Sequence, residues 1–214
     1  METCTSCACS KTAETLVRGQ TRVLYVVLCL NLSMFVVEAT AGLLARSSAL
    51  SGDSLDMLGD ALAYGATLFV LRRAAAWKAR ATLLKGTLMA LTAVGVFAGA
   101  MMRLVNGELP SPAAMGGVGL LALAVNAACL GLLMRYRTQD SNMASAWACS
   151  RNDIVANLSV IAAGGVVALT HSRWPDFIVG VGITLLFASS ALAALRAGLR
   201  APPGVDSLRV LRAP

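Results

Sequence analysis

Histidine is almost missing from this chain: His171 is the only one in 214 residues. That excludes a catalytic site built on several imidazoles, and it excludes a His-rich metal loop. Charge is scarce too, at 14% of residues, against about 25% in an average soluble domain. Aromatics are few, with five Phe and three Tyr, so a membrane barrel girdled by aromatic residues is a poor fit. The first ten residues hold no basic stretch leading into a short apolar core, and they do not form a cleavable secretory signal. Neither a glycine-rich phosphate loop nor a nucleophile triad is visible. Six cysteines are present, but Cys29, Cys129 and Cys149 lie in apolar stretches and Cys4, Cys7 and Cys9 crowd the N-terminus. That is not the spacing of a secreted disulfide framework.

What the chain does have is apolar surface: 57% of its residues are hydrophobic and the mean hydropathy is +0.71. Six apolar segments run roughly Val23–Ala45, Leu50–Leu71, Ala81–Val105, Ala113–Met134, Met143–Thr170 and Trp174–Leu195. Each approaches or exceeds the length of about 20 residues that crosses a bilayer as a helix. Abundant Gly and Ala suit closely packed helices. The fold class this predicts is an all-α membrane protein with six transmembrane helices. The second and fifth segments hold acidic residues, so hydropathy alone should rate them lowest. The net charge of +7 reports topology rather than nucleic-acid binding, and no nucleic-acid partner is expected. With the N-terminus inside, fourteen Lys and Arg fall on the cytoplasmic side, and only Arg46, Arg103 and Arg173 fall outside. Both termini should then be cytoplasmic. The expected organisation is a Cys-containing, disordered cytoplasmic tail over 1–22, a six-helix unit over 23–195 and a short basic tail over 196–214, which leaves no room for a folded soluble domain.

Ionisable residues inside a membrane are costly and tend to face a partner or a water-filled path. The second segment carries Asp53, Asp56, Asp60 and Tyr64, spaced by three, four and four, and hence on one helical face. The fifth carries Cys149, Asp153 and Asn157 at steps of four. If the two faces meet, Asp56, Asp60, Cys149 and Asp153 supply three carboxylates and a thiolate, a donor set that suits a tetrahedral divalent metal. Protonated, packed Asp side chains that glue two helices are the plainer alternative. Asp53, nearer the outer end, suits a vestibule or hydrogen-bonding role as well as ligation. Cys149 alone is also compatible with a small buried hydrophobe. Asn157 fits interhelical glue as well as support for a ligand.

Other features carry weaker readings. The Cys4, Cys7 and Cys9 cluster is suited to capturing a soft metal, or is a set of reduced thiols without a defined role. Arg151 either snorkels to the interface or pairs with Glu38 of the first segment. Asn31 and Asn126 suit interhelical glue. Gly42, Gly86, Gly116, Gly117, Gly164 and Gly165 suit close helix crossings. His171 and Asp176 could form a low-affinity exit site, although a solvated loop is the simpler expectation.

The stretch NLSMFVVEATAGLLARSSALSGDSLDMLGDALAY, Asn31 to Tyr64, resembles the first two helices of cation diffusion facilitator transporters. That family typically has Asp or His, three residues, then Asp on its second helix, matched here by Asp56 and Asp60. Its fifth helix typically has His, three residues, then Asp, matched by Cys149 and Asp153 within ACSRNDIVAN. Pro110-Ser-Pro before the fourth helix, and Trp174-Pro-Asp-Phe-Ile-Val-Gly opening the sixth, are also similar. The resemblance covers about Leu24 to Leu195. It implies export of a divalent metal, most often zinc, in exchange for protons, by a homodimer working through alternating access, here in a short form lacking the usual C-terminal cytoplasmic domain. The expected location is multi-pass in a bacterial inner membrane.

Cys in place of the usual fifth-helix His favours softer ions such as cadmium, lead or mercury, without excluding zinc. Metal and protons compete for the same carboxylate and thiolate donors, so antiport follows from the donor chemistry as well. The expected ligands are Asp56, Asp60, Cys149 and Asp153, with Asp53, Asn157, Cys4, Cys7 and Cys9 as secondary candidates. No resident cofactor and no enzymatic activity are expected, and the partners are the metal ion, protons, the lipid bilayer and a second copy of the chain. A membrane metal sensor or buffer that binds without transport is the alternative.

Overall fold

Backbone groups in hydrocarbon must find partners within the protein, and a helix supplies them all within one segment. The computed structural model meets that demand with six helices: α1 (Thr5–Leu44), α2 (Ser48–Val70), α3 (Ala75–Asn106), α4 (Pro112–Met134), α5 (Ser141–Thr170) and α6 (Trp174–Arg200). The structure describes residues 5–70, 75–135 and 141–200; side chains are described from 19 onward, except at 20, 67, 69, 70, 75–79, 81 and 141–150. No strand occurs among the described residues.

Among the described residues, five helices contain stretches long and apolar enough to cross a membrane: Thr21–Leu44, Thr82–Asn106, Pro112–Met134, Arg151–Thr170 and Trp174–Arg200. The α5 stretch is the least apolar of these, with a mean hydropathy of 1.7. The α2 helix is long enough at 23 residues but is not among them, and it carries Asp53, Asp56 and Asp60. Both outcomes follow the sequence expectation for the acidic segments. Two borders differ from it. The α1 helix extends back to Thr5, so most of the segment expected to be a disordered tail is helical, and α6 runs past Leu195 to Arg200.

Packing explains how α2 tolerates its carboxylates. Among the described residues it touches all five other helices, whereas α1 packs against α2 and α4 only. A helix surrounded by protein keeps its polar face out of lipid. Close approach is needed to seat it. A Cβ on Gly42 of α1 would lie 2.8 Å from the backbone nitrogen of Ser51, and one on Gly52 would lie 2.9 Å from the Gly180 carbonyl oxygen of α6. Gly86 and Gly164 also mark close crossings, as expected, but side chains at Gly116, Gly117 and Gly165 would meet open space.

Three interhelical turns meet at one end of the bundle. Each has a residue with left-handed backbone: Arg46 (φ 54°) after α1, Gly107 (φ 74°) after α3 and His171 (φ 48°) after α5. Such residues end helices by letting the chain fold back onto the last carbonyls. The Ser47 amide accordingly donates to the Gly42 carbonyl at 2.9 Å. The Ser111 amide donates to the Ala45 carbonyl at 3.0 Å, joining two of these turns. Ser111 then caps α4, with Pro112 in the first turn where its missing amide hydrogen costs nothing. In the charge-based topology this end is the outer one.

Candidate metal site

Steps of four along a helix keep side chains in line, and the central position of α2 turns its line inward. Asp56 and Asp60 of α2 and Asp153 of α5 line one cavity of about 540 Å³, together with Gly59, Lys85 of α3 and Phe187 of α6. Asp60 and Asp153 are buried, and Asp56 is partly buried. The Tyr64 hydroxyl, one turn along α2, donates to Oδ2 of Asp60 at 2.6 Å. Oδ2 of Asp153 is buried without a hydrogen bond. Asp153 faces Asp56 and Asp60 across the gap between α2 and α5. A cavity walled by mutually repelling carboxylates is a place where a cation lowers the energy.

The four expected ligands are only partly assembled. Asp56, Asp60 and Asp153 share the cavity, yet among the described residues no three His, Cys, Asp or Glu side chains converge closely enough to grip one ion. The backbone of Cys149 lies in α5, one turn before Asp153, but its side chain is outside the described residues. The same holds for Cys7 and Cys9 in α1, and Cys4 lies outside entirely.

Asp53 does not face this cavity. It is fully buried one turn outward, where Nδ2 of Asn157 donates to its Oδ2 at 2.9 Å. Nδ2 of Asn126 donates in turn to Oδ1 of Asn157 at 3.1 Å. A polar chain thus links α2, α5 and α4, which realises the interhelical role expected of Asn126 and gives Asn157 one of the two roles open to it. Nδ2 of Asn31 donates within α1 to the Val27 carbonyl at 2.9 Å and across to the sulfur of Cys129 on α4 at 3.9 Å, a link between helices as expected.

Two expectations fail at the charged residues. Glu38 does not pair with Arg151: it is fully buried and neither of its oxygens accepts a hydrogen bond, whereas Arg151 is exposed on α5. Asp176 is not a solvated exit-site residue beside His171. It is buried and accepts from the Ser47 hydroxyl at 2.5 Å and from the amides of Ser48 and Ala49 at 2.7 and 3.0 Å. It therefore caps the N-terminus of α2 from the first turn of α6, where the helix dipole favours an anion. Arg103 of α3 closes the same corner by donating to the Ser47 carbonyl and the Ser51 hydroxyl, both at 3.2 Å. Neither role has a local sequence signature, because the partners lie 52 or more positions away along the chain.

No curated protein matches the chain. The family model described as the cation efflux transmembrane domain matches residues 24–201, nearly the whole six-helix unit. Membrane-spanning helices, acidic residues lining one cavity and that match agree, and the chain belongs to the cation efflux family, the cation diffusion facilitators.

Proposed function

We propose that this integral membrane protein exports a divalent metal cation in exchange for protons, binding it through Asp56, Asp60, Asp153 and Cys149. One observation carries the reading: the three carboxylates, from two helices, line a single cavity in a cation efflux bundle. Inward movement of α2 and α5 by a fraction of a helix diameter would draw these donors to one ion, with Cys149 one turn before Asp153 as the fourth. The thiolate directs selectivity toward Zn²⁺, Cd²⁺ and softer ions such as Pb²⁺. Protons compete with metal for every one of these donors, so a proton gradient across the membrane can strip the ion on the acidic side. The reading places the protein in a bacterial inner membrane, whose proton gradient can drive the exchange, with a homodimer as the working unit. The N-terminal Cys4, Cys7 and Cys9 cluster concentrates soft metal near the cavity. Metal resistance is the physiological outcome.

The test is metal uptake into everted vesicles with an imposed pH gradient. Zn²⁺ or Cd²⁺ should accumulate, and collapse of the gradient should stop accumulation. Uptake that continues unchanged after collapse removes proton exchange, and equilibrium binding with no uptake favours a sensor or buffer. Exchange of Cys149→His should raise the rate for Zn²⁺ relative to Cd²⁺ and Pb²⁺; unchanged ratios would take selectivity away from the thiol.

A further inference from the structure

Among the described residues, six buried side-chain oxygens accept no hydrogen bond: Oδ1 of Asn31, both carboxylate oxygens of Glu38, Oδ1 of Asp53, Oδ1 of Asn126 and Oδ2 of Asp153. Every one is an acceptor, and no buried side-chain N–H or O–H is left without a partner among the described residues. Loose packing would strand donors and acceptors alike. A deficit made only of acceptors points to missing donors or cations. Asp153 belongs to the cavity already described, but Glu38 and Asp53 do not line it.

Their placement is specific. Glu38 lies near the outer end of α1 and Asp53 near the outer start of the antiparallel α2, so the two stand at a similar depth. Asp53 is three residues outward of Asp56, about 4.5 Å along the helix. Both residues are fully buried. Met34 of α1 and Met57 of α2 pack together, and Glu38 and Asp53 each lie one turn outward of that contact on the same faces of the two helices. Asn157 fixes Oδ2 of Asp53, which leaves Oδ1 and both Glu38 oxygens open. Arg103, on the same outer half, is engaged with Ser47 and Ser51.

We infer that Glu38 and Asp53 form a second cation station, with oxygen donors only, one helical turn outward of the Asp56, Asp60 and Asp153 cavity, and that it takes a divalent ion that prefers oxygen ligands. Two carboxylates with three open oxygens, completed by water, match the way hard divalent cations are held. Oxygen ligands suit Mn²⁺ better than soft ions. For an outgoing cargo ion, the step would lead from a thiolate-containing site to a weaker one and so ease release. That last consequence rests on the proposed transport site; binding at Glu38 and Asp53 does not.

The experiment uses the full chain in nanodiscs, with Cd²⁺ filling the transport site and Mn²⁺ as the probe, read by electron paramagnetic resonance of the free ion. The Cd²⁺-loaded wild type should take up one Mn²⁺ per chain. Glu38→Gln and Asp53→Asn should each weaken Mn²⁺ by about tenfold or more while leaving Cd²⁺ unaltered. Glu38→Asp, which keeps the charge, should retain Mn²⁺, and this guards against a folding defect in the neutral variant. Asp60→Asn should weaken Cd²⁺ and keep Mn²⁺. No Mn²⁺ uptake by the wild type, or uptake indifferent to Glu38→Gln, overturns the station. Cd²⁺ binding indifferent to Asp60→Asn, with Mn²⁺ still answering to Glu38→Gln, overturns the transport site and leaves the station standing.

Discussion

Asp176 and Asp153 are the same chemical group, both buried, at two levels of one bundle. Asp176, at the outer corner, receives three hydrogen bonds from the start of α2. Asp153, in the middle, keeps a buried oxygen with none and faces a cavity shared with Asp56 and Asp60. Burial of a carboxylate therefore does not by itself mark a functional residue in a membrane helix. What separates the two is whether the fold supplies its donors: where it does, the group holds helices together, and where it does not, the group is left for a ligand.

The largest expected effect tests the unfilled side of this contrast. Asp153→Ala should lower metal uptake by about 100-fold, the upper range for losing a group that governs metal affinity, with folded yield close to wild type. Uptake assays on reconstituted protein check it; a variant that transports normally would put Asp153 among the structural carboxylates. Asp176→Ala should do the opposite. It strands the α2 N-terminus and should destabilise the fold by about 2–4 kcal/mol, seen as a lower thermal midpoint in detergent, while the folded fraction keeps its uptake. A stable Asp176→Ala protein without transport would erase the distinction.

The contact that holds α2 against α6 gives a smaller effect. A Cβ at Gly180 would run into the Ser48 carbonyl, whereas one at Gly182 meets nothing within 4 Å. Gly180→Ala should cost about 1–3 kcal/mol, and Gly182→Ala should stay within about 0.5 kcal/mol, by the same thermal measurement. The smallest is Tyr64→Phe. It frees Oδ2 of Asp60 from a hydrogen bond and should tighten metal binding by about fivefold, the equivalent of one ordinary hydrogen bond, in equilibrium titration.

Much of this was legible in the chain itself. Apolar run length located all six helices, because lipid leaves the backbone few options. Spacing by four put Asp56 and Asp60 on one face and aligned Cys149 with Asp153. The central burial of α2 was implied by the cost of three carboxylates in lipid. What stayed hidden depends on partners distant in sequence. The Asp176 cap joins residues 127 to 129 positions apart, and its sequence context looks like any first turn. Nothing in the sequence shows that Glu38 is buried on α1 while Arg151 is exposed on α5, two helices that do not touch among the described residues. Gly52 and Gly180 gave no warning either, since a glycine at a crossing and a glycine facing open space share one letter.

The Asp176 knot also limits how the bundle can rearrange. Sliding α6 lengthwise along α2 would break all three hydrogen bonds to the Asp176 carboxylate at once. Tilting one helix against the other about that corner breaks none of them. The first turn of α6 thus acts as a fulcrum, and a swing of a few degrees there is magnified toward the far end of the helix, beside the cavity and beyond it.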